Sequence, residues 1–427
     1  RKYKTGVGNR RFLPFLRLGT SCPYVTGTPA ADAFFGSQRE RGCMNVNGRN
    51  EIVITQYRDR PILFYQSENR LYDLVVGERH QEEAPQVGDI YVGRVQNIVQ
   101  NIRAVFVEIK EGVICYMPET ECAGKKIRVG DDLVVQVKKA AVKTKQPVVT
   151  QAIELVGYYC VVTTQNSSKQ ISKKIGEEEK KRLQPLLEEF AEEEYGIVLR
   201  TNAAEAGLAV IREECERLVG ELHSMMEHSR YRVCFSRLRK ADPFYMPYIR
   251  SCRQEEYDRI ITDIRTVYDD LQAQGVDKVQ FYEDSSYPLE KLLGIGTKIQ
   301  KVSEKRVWLK SGGNLVIEPT EALTVIDVNT GKAIDGKRSR ETTFFKINCE
   351  AAKEVARQIR VRNISGIILV DFIDMKNKQN ERQLFDLLQG ELQKDKTRTS
   401  LIDITKLGLA EITRMKTRAP LWEAFGN

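Results

Sequence analysis

Histidine is scarce in this chain of 427 residues, and the scarcity limits the chemistry that the protein can perform. Only His80, His223 and His228 are present, so catalysis or metal binding that depends on imidazole is not expected. Nine cysteines are scattered along the sequence without forming a C-x-x-C pair. This pattern argues against a zinc site or a disulfide framework. We therefore expect reduced thiols and a cytoplasmic protein.

Long apolar runs are also missing. No stretch approaches the roughly 20 apolar residues that a membrane-spanning helix requires. A hydrophobic content of 41% and a mean hydropathy of -0.41 are typical of a soluble globular protein. We therefore expect no stable membrane insertion. A chain of this length is too long for one hydrophobic core, and about three or four domains are expected.

A strong charge excess is absent from most of the chain. Residues 1–43 hold eight basic and two acidic residues, which accounts for +6 of the net charge of +8. The remainder is close to neutral, so any surface for nucleic acid must be a local patch. Residues 1–43 lack hydrophobic periodicity, and we interpret them as a disordered or non-native extension. A targeting peptide is the alternative, because the segment is basic and poor in acids.

Short alternating apolar segments dominate the first third of the remaining chain. Residues 52–55, 61–65 and 71–76 predict three strands. A second set predicts four more, over residues 89–95, 104–109, 113–118 and 133–139. Short strands broken by glycine and polar turns over about 70 residues favour a small β-barrel. Further along, helices are predicted over 177–194, 203–226 and 255–274, with strands at 196–200, near Val279 and near Ile299.

The barrel segment carries the first functional signal. Phe106 and Tyr116 lie on successive predicted strands, and exposed aromatic rings on such a face can stack unpaired bases. Nearby cations could follow a phosphate backbone, and they are Arg94, Lys138, Lys139 and Lys145. The alternative is that Phe106 belongs to the barrel core and that the lysines are ordinary solvated surface residues.

A second signal follows the predicted strand at 196–200. Arg200 and Thr201 stand at the end of this strand, just before a predicted helix that begins near Ala203. Free backbone N–H groups, a hydroxyl and a guanidinium could together bind one phosphate group. The simpler alternative is that Thr201 or Asn202 caps the helix. The local residues alone favour the cap.

The third signal is a pair of acids at the ends of two apolar runs. Residues 322–326 lead into Asp327, and residues 367–370 lead into Asp371. The segment between them shows apolar residues at helical spacing, at Ile347, Ala351, Val355 and Ile359. Parallel strands joined by a helical crossover lie close in one sheet. The sequence therefore predicts that both carboxylates meet at the carboxyl end of that sheet.

Two carboxylates without a partner base repel each other, and a bound divalent cation would relieve the repulsion. Asp327, Asn329 and Asp371 offer three oxygen ligands, with Asp374 close by in sequence. A small number of protein ligands, completed by water and a substrate phosphate, is typical of Mg²⁺. The alternative is that the aspartates merely cap the helices that follow.

Three segments together resemble the ribonuclease E/G family. They are Pro-Thr-Glu-Ala-Leu-Thr-Val-Ile-Asp-Val-Asn at 319–329, Glu-Ala-Ala-Lys-Glu-Val-Ala-Arg-Gln-Ile-Arg at 350–360, and Gly-Ile-Ile-Leu-Val-Asp-Phe-Ile-Asp-Met at 366–375. The resemblance extends more weakly from about residue 50 to residue 420. It implies a multi-domain α/β protein: a ribonuclease H-like fold interrupted by an OB-fold β-barrel and a 5′-sensor region, followed by a DNase I-like α/β catalytic domain. The corresponding ranges are 44–86 and 241–300 for the ribonuclease H-like parts, 87–155 for the OB-fold, 156–240 for the sensor and 301–427 for the catalytic domain.

The resemblance also implies an activity. A metal-dependent endoribonuclease of this type would cut single-stranded RNA, leave 5′-phosphate ends, and act in ribosomal RNA processing and messenger RNA decay. Asp327 and Asp371 would bind Mg²⁺, with Mn²⁺ as a substitute, and Asn329 would position the metal or the phosphate. The other site residues implied are Phe106 and Tyr116 for base stacking, Lys145 and Arg398 for RNA contact, and Arg200 and Thr201 for sensing a 5′-monophosphate. Asp374 receives no role beyond a structural one.

One departure from the family concerns zinc. Many members continue past the catalytic domain into a cysteine-rich zinc link and a small dimerisation domain, and this sequence has no such cysteines. No structural zinc site is expected, while a homo-oligomer of another kind stays open. Two other function classes remain as alternatives. One is a non-catalytic RNA-binding protein with an OB-fold, and the other is a metal-dependent phosphoesterase acting on DNA or small molecules.

Overall fold

Three antiparallel strands open the part of the chain that the computed structural model describes, which is residues 49–78, 84–122, 126–141, 146–331 and 340–426. The predicted extension and Lys145 lie outside these residues. The strands match the predicted ones. Their apolar residues are buried on both faces of the sheet, for example Ile52 and Ile54 on one face and Val53 on the other. They are β1 (Glu51–Tyr57), β2 (Arg60–Ser67) and β3 (Arg70–Val76).

A closed five-stranded barrel follows. Its strands are β4 (Ile90–Val99), β5 (Ala104–Lys110), β6 (Val113–Pro118), β7 (Asp132–Lys139) and β8 (Val148–Thr150). They pair in the order β4-β5-β6-β8-β7, and additional pairing between β4 and β7 closes the barrel. Inward side chains such as Val107, Cys115 and Met117 fill the interior. The predicted OB-like barrel is therefore confirmed.

The next segment forms a four-stranded sheet covered by two helices. Its elements are β9 (Glu154–Val156), β10 (Cys160–Thr163), β11 (Lys169–Ile171), α1 (Glu177–Glu188), β12 (Gly196–Leu199) and α2 (Leu208–Ser229). The prediction that a helix begins near Ala203 was wrong. Residues Thr201–Ala204 form a short 3₁₀ turn instead, and α2 starts after Gly207, whose extended backbone ends the connection.

The segment that follows completes the first sheet. Its elements are β13 (Arg237–Arg239), α3 (Met246–Ser251), β14 (Arg259–Thr262), α4 (Arg265–Ala273), β15 (Val279–Phe281), α5 (Leu289–Leu292) and α6 (Ile295–Ser303). β14 and β15 extend the first sheet in the order β15-β14-β1-β2-β3, whereas β13 pairs with β4 of the barrel. The helix predicted over 255–274 was partly wrong, because β14 occupies its first half and pairs in parallel with β1. The strand predicted near Ile299 was also wrong, since this residue lies in α6.

The last segment is a six-stranded sheet with helices on one face. Its elements are β16 (Arg306–Trp308), β17 (Asn314–Pro319), β18 (Leu323–Asn329), α7 (Arg340–Val361), β19 (Gly366–Asp371), α8 (Lys378–Leu392), β20 (Thr399–Ile404), β21 (Ala410–Arg414) and α9 (Leu421–Phe425). The strand order is β16-β17-β18-β19-β21-β20, with β18 and β19 parallel. The four apolar residues predicted for the crossover helix are all buried in α7. The second face carries the partly or fully exposed side chains of these strands, such as Val316, Val325 and Ile367, and it is called the open face below.

A buried polar network ties α7 to β3. Glu354 accepts hydrogen bonds from Arg357 and Gln358, and it forms an ion pair with Arg70 of β3. Arg357 also donates to the backbone carbonyl of Leu71. The crossover helix between the two aspartates is thus held against the first sheet as well as its own. The specific ribonuclease H-like and DNase I-like assignments and the domain boundaries stay predictions.

Two expectations from composition can be compared with the described residues. None of their helices combines the length and apolar character needed to cross a bilayer. Seven cysteines lie among them, at positions 115, 122, 160, 215, 234, 252 and 349, and all are free thiols.

Candidate active site on the open face of the last sheet

Asp327 and Asp371 are direct neighbours across two parallel strands. They are register partners in the β18–β19 ladder, which places their Cα atoms about 4.8 Å apart. Ile326, Val328 and Val370 point to the other side of the sheet and are buried beneath α7 and α8. Because side chains alternate along a strand, both aspartates project from the open face. The structure therefore brings together the two acids as the sequence pattern predicted.

Asn329 completes a small polar cluster beside the acids. Its Nδ2 atom donates a hydrogen bond of 2.6 Å to Oδ2 of Asp327. This contact fixes the Asp327 carboxylate and leaves the amide oxygen of Asn329 available as a further ligand. Asp371 is exposed to solvent, whereas Asp327 and Asn329 are half-buried. The cluster is therefore anchored on β18 and open to solvent on the side of β19.

The electrostatics of the pair fit a cation site. Burial raises the pKa of the Asp371 carboxyl, and the negative charges of Asp327 and Asp374 raise it further. A cation bound between the two carboxylates would remove this repulsion. Two carboxylates and one amide are hard oxygen donors in the small number that suits Mg²⁺. Among the described residues no group of three His, Cys, Asp or Glu side chains has a metal-binding arrangement, so water and substrate would have to complete the coordination.

The alternative that Asp371 caps the following helix is wrong, while the residues just before α7, where the same alternative for Asp327 would be tested, lie outside the described residues. The N-cap of α8 is Asn377, whose side-chain oxygen accepts a hydrogen bond from the backbone N–H of Gln379. Asp374 is exposed in the connection before that cap. Neither Asp371 nor Asp374 therefore caps the N-terminus of α8, and the Asp371 carboxylate is available to bind a cation.

The strand register places two further side chains on the open face. Arg306 pairs with Val316, which pairs with Asp327, so Arg306, Val316, Asp327 and Asp371 form one row across four strands. Trp308 lies in the next row, opposite Asn314 and then Asn329. The sequence analysis did not single out Arg306 or Trp308. The available signal was the alternation of polar and apolar residues there, since Val307 packs against the core and its two neighbours are exposed.

Arg398 lies at the other end of this sheet. It directly precedes β20, whose first residue, Thr399, pairs with Arg414. Arg414 in turn pairs with Gly366, the first residue of β19, whereas Asp371 is the last. Arg398 is exposed, about 20 Å along the strand direction from the acid pair. It cannot contact the same phosphate as the acids, and a role in binding RNA stays a prediction.

The predicted aromatic pair lies on the outside of the barrel. Phe106 and Tyr116 are register partners on β5 and β6, with ring centroids 6.0 Å apart and ring planes at 71°. Both side chains are half-buried, while their neighbours Val105, Val107, Cys115 and Met117 fill the interior. The alternative that Phe106 belongs to the barrel core is therefore wrong.

The cations around this aromatic pair differ in availability. Arg94 forms a bidentate ion pair with Asp132, and Lys138 forms a single-contact ion pair with Glu121. Lys139 is exposed and has no ion pair among the described residues. Lys139 is the register partner of Val148, and Val148 is the register partner of Tyr116. Lys139 therefore lies in the same row across the strands as Phe106 and Tyr116. Lys139 is therefore the described cation best placed to accompany stacked bases with a phosphate contact.

Arg200 is a partly buried guanidinium without a described acidic partner. It donates to the backbone carbonyl of Gly157, and no carboxylate of the described residues lies within ion-pair distance. The nearby Glu214 is occupied by three backbone N–H groups of residues 158–160. Burial lowers the pKa of Arg200, and the positive charge of Arg250 lowers it further. A bound anion would stabilise the charged guanidinium and so offset both of these effects on the pKa.

Thr201 and Asn202 do not cap a helix. Thr201 opens the 3₁₀ turn with no side-chain capping bond there, and Asn202 donates to the carbonyl of Arg250 instead. The cap of α2 falls at Gly207. The interpretation that the local residues favoured was therefore wrong, and an anion site at Arg200 and Thr201 is the alternative that remains.

Comparison with known proteins connects these features. The model of the Ribonuclease E/G family matches residues 154–417. Ribonuclease G of Escherichia coli (strain K12) is 34% identical over 368 residues, covering 80% of this chain and 75% of that protein. Ribonuclease E of a Nostoc species is 33% identical over 401 residues, covering 88% of this chain and 57% of that protein. The segment matched by the family model contains the acid pair and Arg200.

Proposed function

Because the chain belongs to the ribonuclease E/G family, we propose that it is an endoribonuclease in RNA processing that hydrolyses single-stranded RNA with a divalent metal and leaves 5′-phosphate ends. One observation carries the proposal. Asp327 and Asp371 stand in register on parallel neighbouring strands of the open face, with Asn329 hydrogen-bonded to Asp327. Two carboxylates and an amide in this arrangement support a metal site for phosphodiester hydrolysis.

Asp327, Asp371 and Asn329 would have different roles in hydrolysis. Asp327 and Asp371 would hold the cation between them, and their two negative charges would balance its charge. Asn329 keeps the Asp327 carboxylate oriented through its Nδ2 hydrogen bond, and its amide oxygen would serve as a further ligand to the metal or position the phosphate. A bound Mg²⁺, or Mn²⁺ in its place, supplies polarisation of the phosphate and a lower pKa for the attacking water. The solvent-exposed side of Asp371 leaves room for that water and for the RNA strand.

The barrel would hold the RNA away from the acids. Phe106 and Tyr116 present half-buried rings on the barrel surface, where unpaired bases could stack on them. Lys139 would contact a phosphate beside them. A non-catalytic RNA-binding protein would also use these residues, but it would have no use for the in-register acid pair.

The test of the proposal is a comparison of substrates at equal concentration with Mg²⁺. We expect internal cleavage of 5′-monophosphorylated single-stranded RNA. We expect little or no cleavage of DNA or duplex RNA of the same sequence, and little or no hydrolysis of a mononucleotide. Comparable cleavage of DNA or of the mononucleotide would favour the general phosphoesterase. Tight RNA binding without cleavage would favour the non-catalytic binding protein.

Arg200 and Thr201 are proposed to bind the 5′-monophosphate of the substrate. Replacing Arg200 by alanine removes a charge-assisted contact worth roughly 1.5–3 kcal/mol, or about ten- to a hundredfold in rate. We therefore expect kcat/KM for monophosphorylated RNA to fall by that factor while kcat/KM for 5′-hydroxyl RNA changes little. Arg212→Ala, on the exposed side of α2 and paired with Glu189, is the matched control. An equal loss on both substrates would assign Arg200 a structural role only.

The cellular compartment and the oligomeric state are two further parts of the proposal. Free thiols at seven described cysteines fit a reducing compartment such as the cytoplasm. Self-association into a homo-oligomer without a zinc link is a further proposal. Size measurement of the purified protein with and without chelator would test it, with no change in size expected on chelation.

A further inference from the structure

We propose that Trp308, supported by Arg306, is a stacking platform for an unpaired base next to the cleaved bond. This inference rests on the proposed ribonuclease function and adds a positioning residue to it. Trp308 is 59% exposed on the open face, although an exposed indole leaves a large apolar area in water. Burial of that area by a ligand is therefore favourable.

The position of Trp308 relative to the acids follows from the register. Trp308 stands opposite Asn314, and Asn314 stands opposite Asn329, so two strand spacings of about 10 Å separate Trp308 from Asn329. Asp327 lies two residues from Asn329 along β18, on the same face. An RNA strand whose phosphate reaches the acid pair would carry a neighbouring nucleotide over the indole ring.

Arg306 adds a cation to this platform. Its guanidinium carbon lies 5.9 Å from the centroid of the Trp308 ring, within the range of a cation–π interaction. No carboxylate of the described residues forms an ion pair with Arg306, whereas the adjacent Lys305 is paired with Glu318 at 2.6 Å. Arg306 also belongs to the row that contains Asp327 and Asp371. It can therefore contact a phosphate beside the stacked base.

Stacking on an indole requires an unpaired base but not a particular one, because every base has a π-face. The platform would therefore make cleavage depend on single-strandedness at one nucleotide beside the bond. This requirement is separate from the one imposed by Phe106 and Tyr116, which lie on the barrel. Efficient cleavage would therefore require an unpaired base directly beside the cleaved bond.

The experiment is an abasic scan of the substrate with variants of Trp308. Oligonucleotides carry one abasic nucleotide at each position around a mapped cleavage site, and kcat/KM is measured for wild type, Trp308→Ala and Trp308→Phe. We expect one flanking position at which loss of the base slows wild type and Trp308→Phe by about tenfold. At that same position Trp308→Ala should be insensitive, because the stacking partner is already gone. On the intact substrate, Trp308→Ala should be slower than wild type by the same factor.

Leu407→Ala is the matched control, since Leu407 is a hydrophobic residue in the turn between β20 and β21 that is 83% exposed and outside both rows. It should retain the wild-type abasic profile. If wild type cleaves the RNA but Trp308→Ala keeps the same sensitivity at every position, the platform is refuted and the proposed function stands. If wild type does not cleave the RNA at all, the proposed function itself fails.

Discussion

Replacing Asp327 or Asp371 by asparagine is expected to lower the rate of RNA cleavage by about a thousandfold, and replacing both should cost little more. A cation held by the pair contributes several kcal/mol to the transition state, and each 1.36 kcal/mol is a factor of ten in rate. The two carboxylates are register partners that would bind one ion, so losing either disables the same group. Effects of residues that act as a unit are not additive. Single-turnover cleavage of monophosphorylated RNA at saturating enzyme measures all three rates.

Asp374→Asn is the matched control for this experiment. Asp374 is exposed, lies three residues beyond Asp371 and contributes a repulsive charge that raises the pKa of Asp371. Its loss should leave the cleavage rate close to that of wild type. A loss as large as that of Asp371→Asn would make Asp374 a third member of the site. Additive losses for the Asp327 and Asp371 variants would contradict a shared cation.

Replacing Glu354 by alanine is expected to lower the free energy of unfolding by about 3–5 kcal/mol. The carboxylate of Glu354 is 4% exposed and pairs with Arg357, which is 8% exposed. Without Glu354 the Arg357 guanidinium would remain buried and uncompensated, and such a broken pair costs that much. Urea denaturation at pH 7, followed by circular dichroism, measures the change. Lys353→Ala, an exposed neighbour on α7, should change stability by no more than about 0.5 kcal/mol.

The contribution of Glu354 should also depend on pH. Burial raises the pKa of its carboxyl, but the hydrogen bond and charge of Arg357 and the charge of Arg70 lower it more, so the net pKa lies below the usual range. A carboxyl with a lowered folded-state pKa stabilises the fold above its unfolded pKa of about 4.3 and loses that effect as the pH falls. The stability gap between wild type and Glu354→Ala should therefore shrink as the pH is lowered from 7 toward 3. A constant gap would mean that the contact, and not the charge, is what the variant removes.

Much of the fold could be predicted because its strands carry one of two local apolar patterns. Barrel strand β5 buries Val105, Val107 and Ile109 at every second position, whereas β1 and β2 carry continuous apolar runs that are buried on both faces of their sheet. The helix predicted over 255–274 failed for a physical reason. Ile260, Ile264, Val267 and Leu271 recur at helical spacing, but the first of them lies in β14 and pairs with β1 some 208 residues earlier. A partner so remote in sequence cannot be seen in a local window.

The same distinction applies to the site. Asp327 and Asp371 could be predicted as neighbours because two strands joined by a crossover helix have a fixed relation. Trp308 and Arg306 could not, because their nearness to the acids depends on the register of β16 against β17 and of β17 against β18. The interpretation of Thr201 as a cap failed since the helix begins seven residues later, at Leu208.

The chemical identity of the ends produced from single-stranded RNA distinguishes metal-assisted hydrolysis from cleavage by the RNA's own 2′-hydroxyl. Attack by an activated water, with the cation held by Asp327 and Asp371, would leave a 5′-phosphate and a 3′-hydroxyl. Wild type with Mg²⁺ should give these ends alone, and chelation of the metal or Asp371→Asn should remove them together. Products with a 2′,3′-cyclic phosphate and a 5′-hydroxyl, or 5′-phosphate ends that persist in Asp371→Asn at the wild-type rate, would contradict the account.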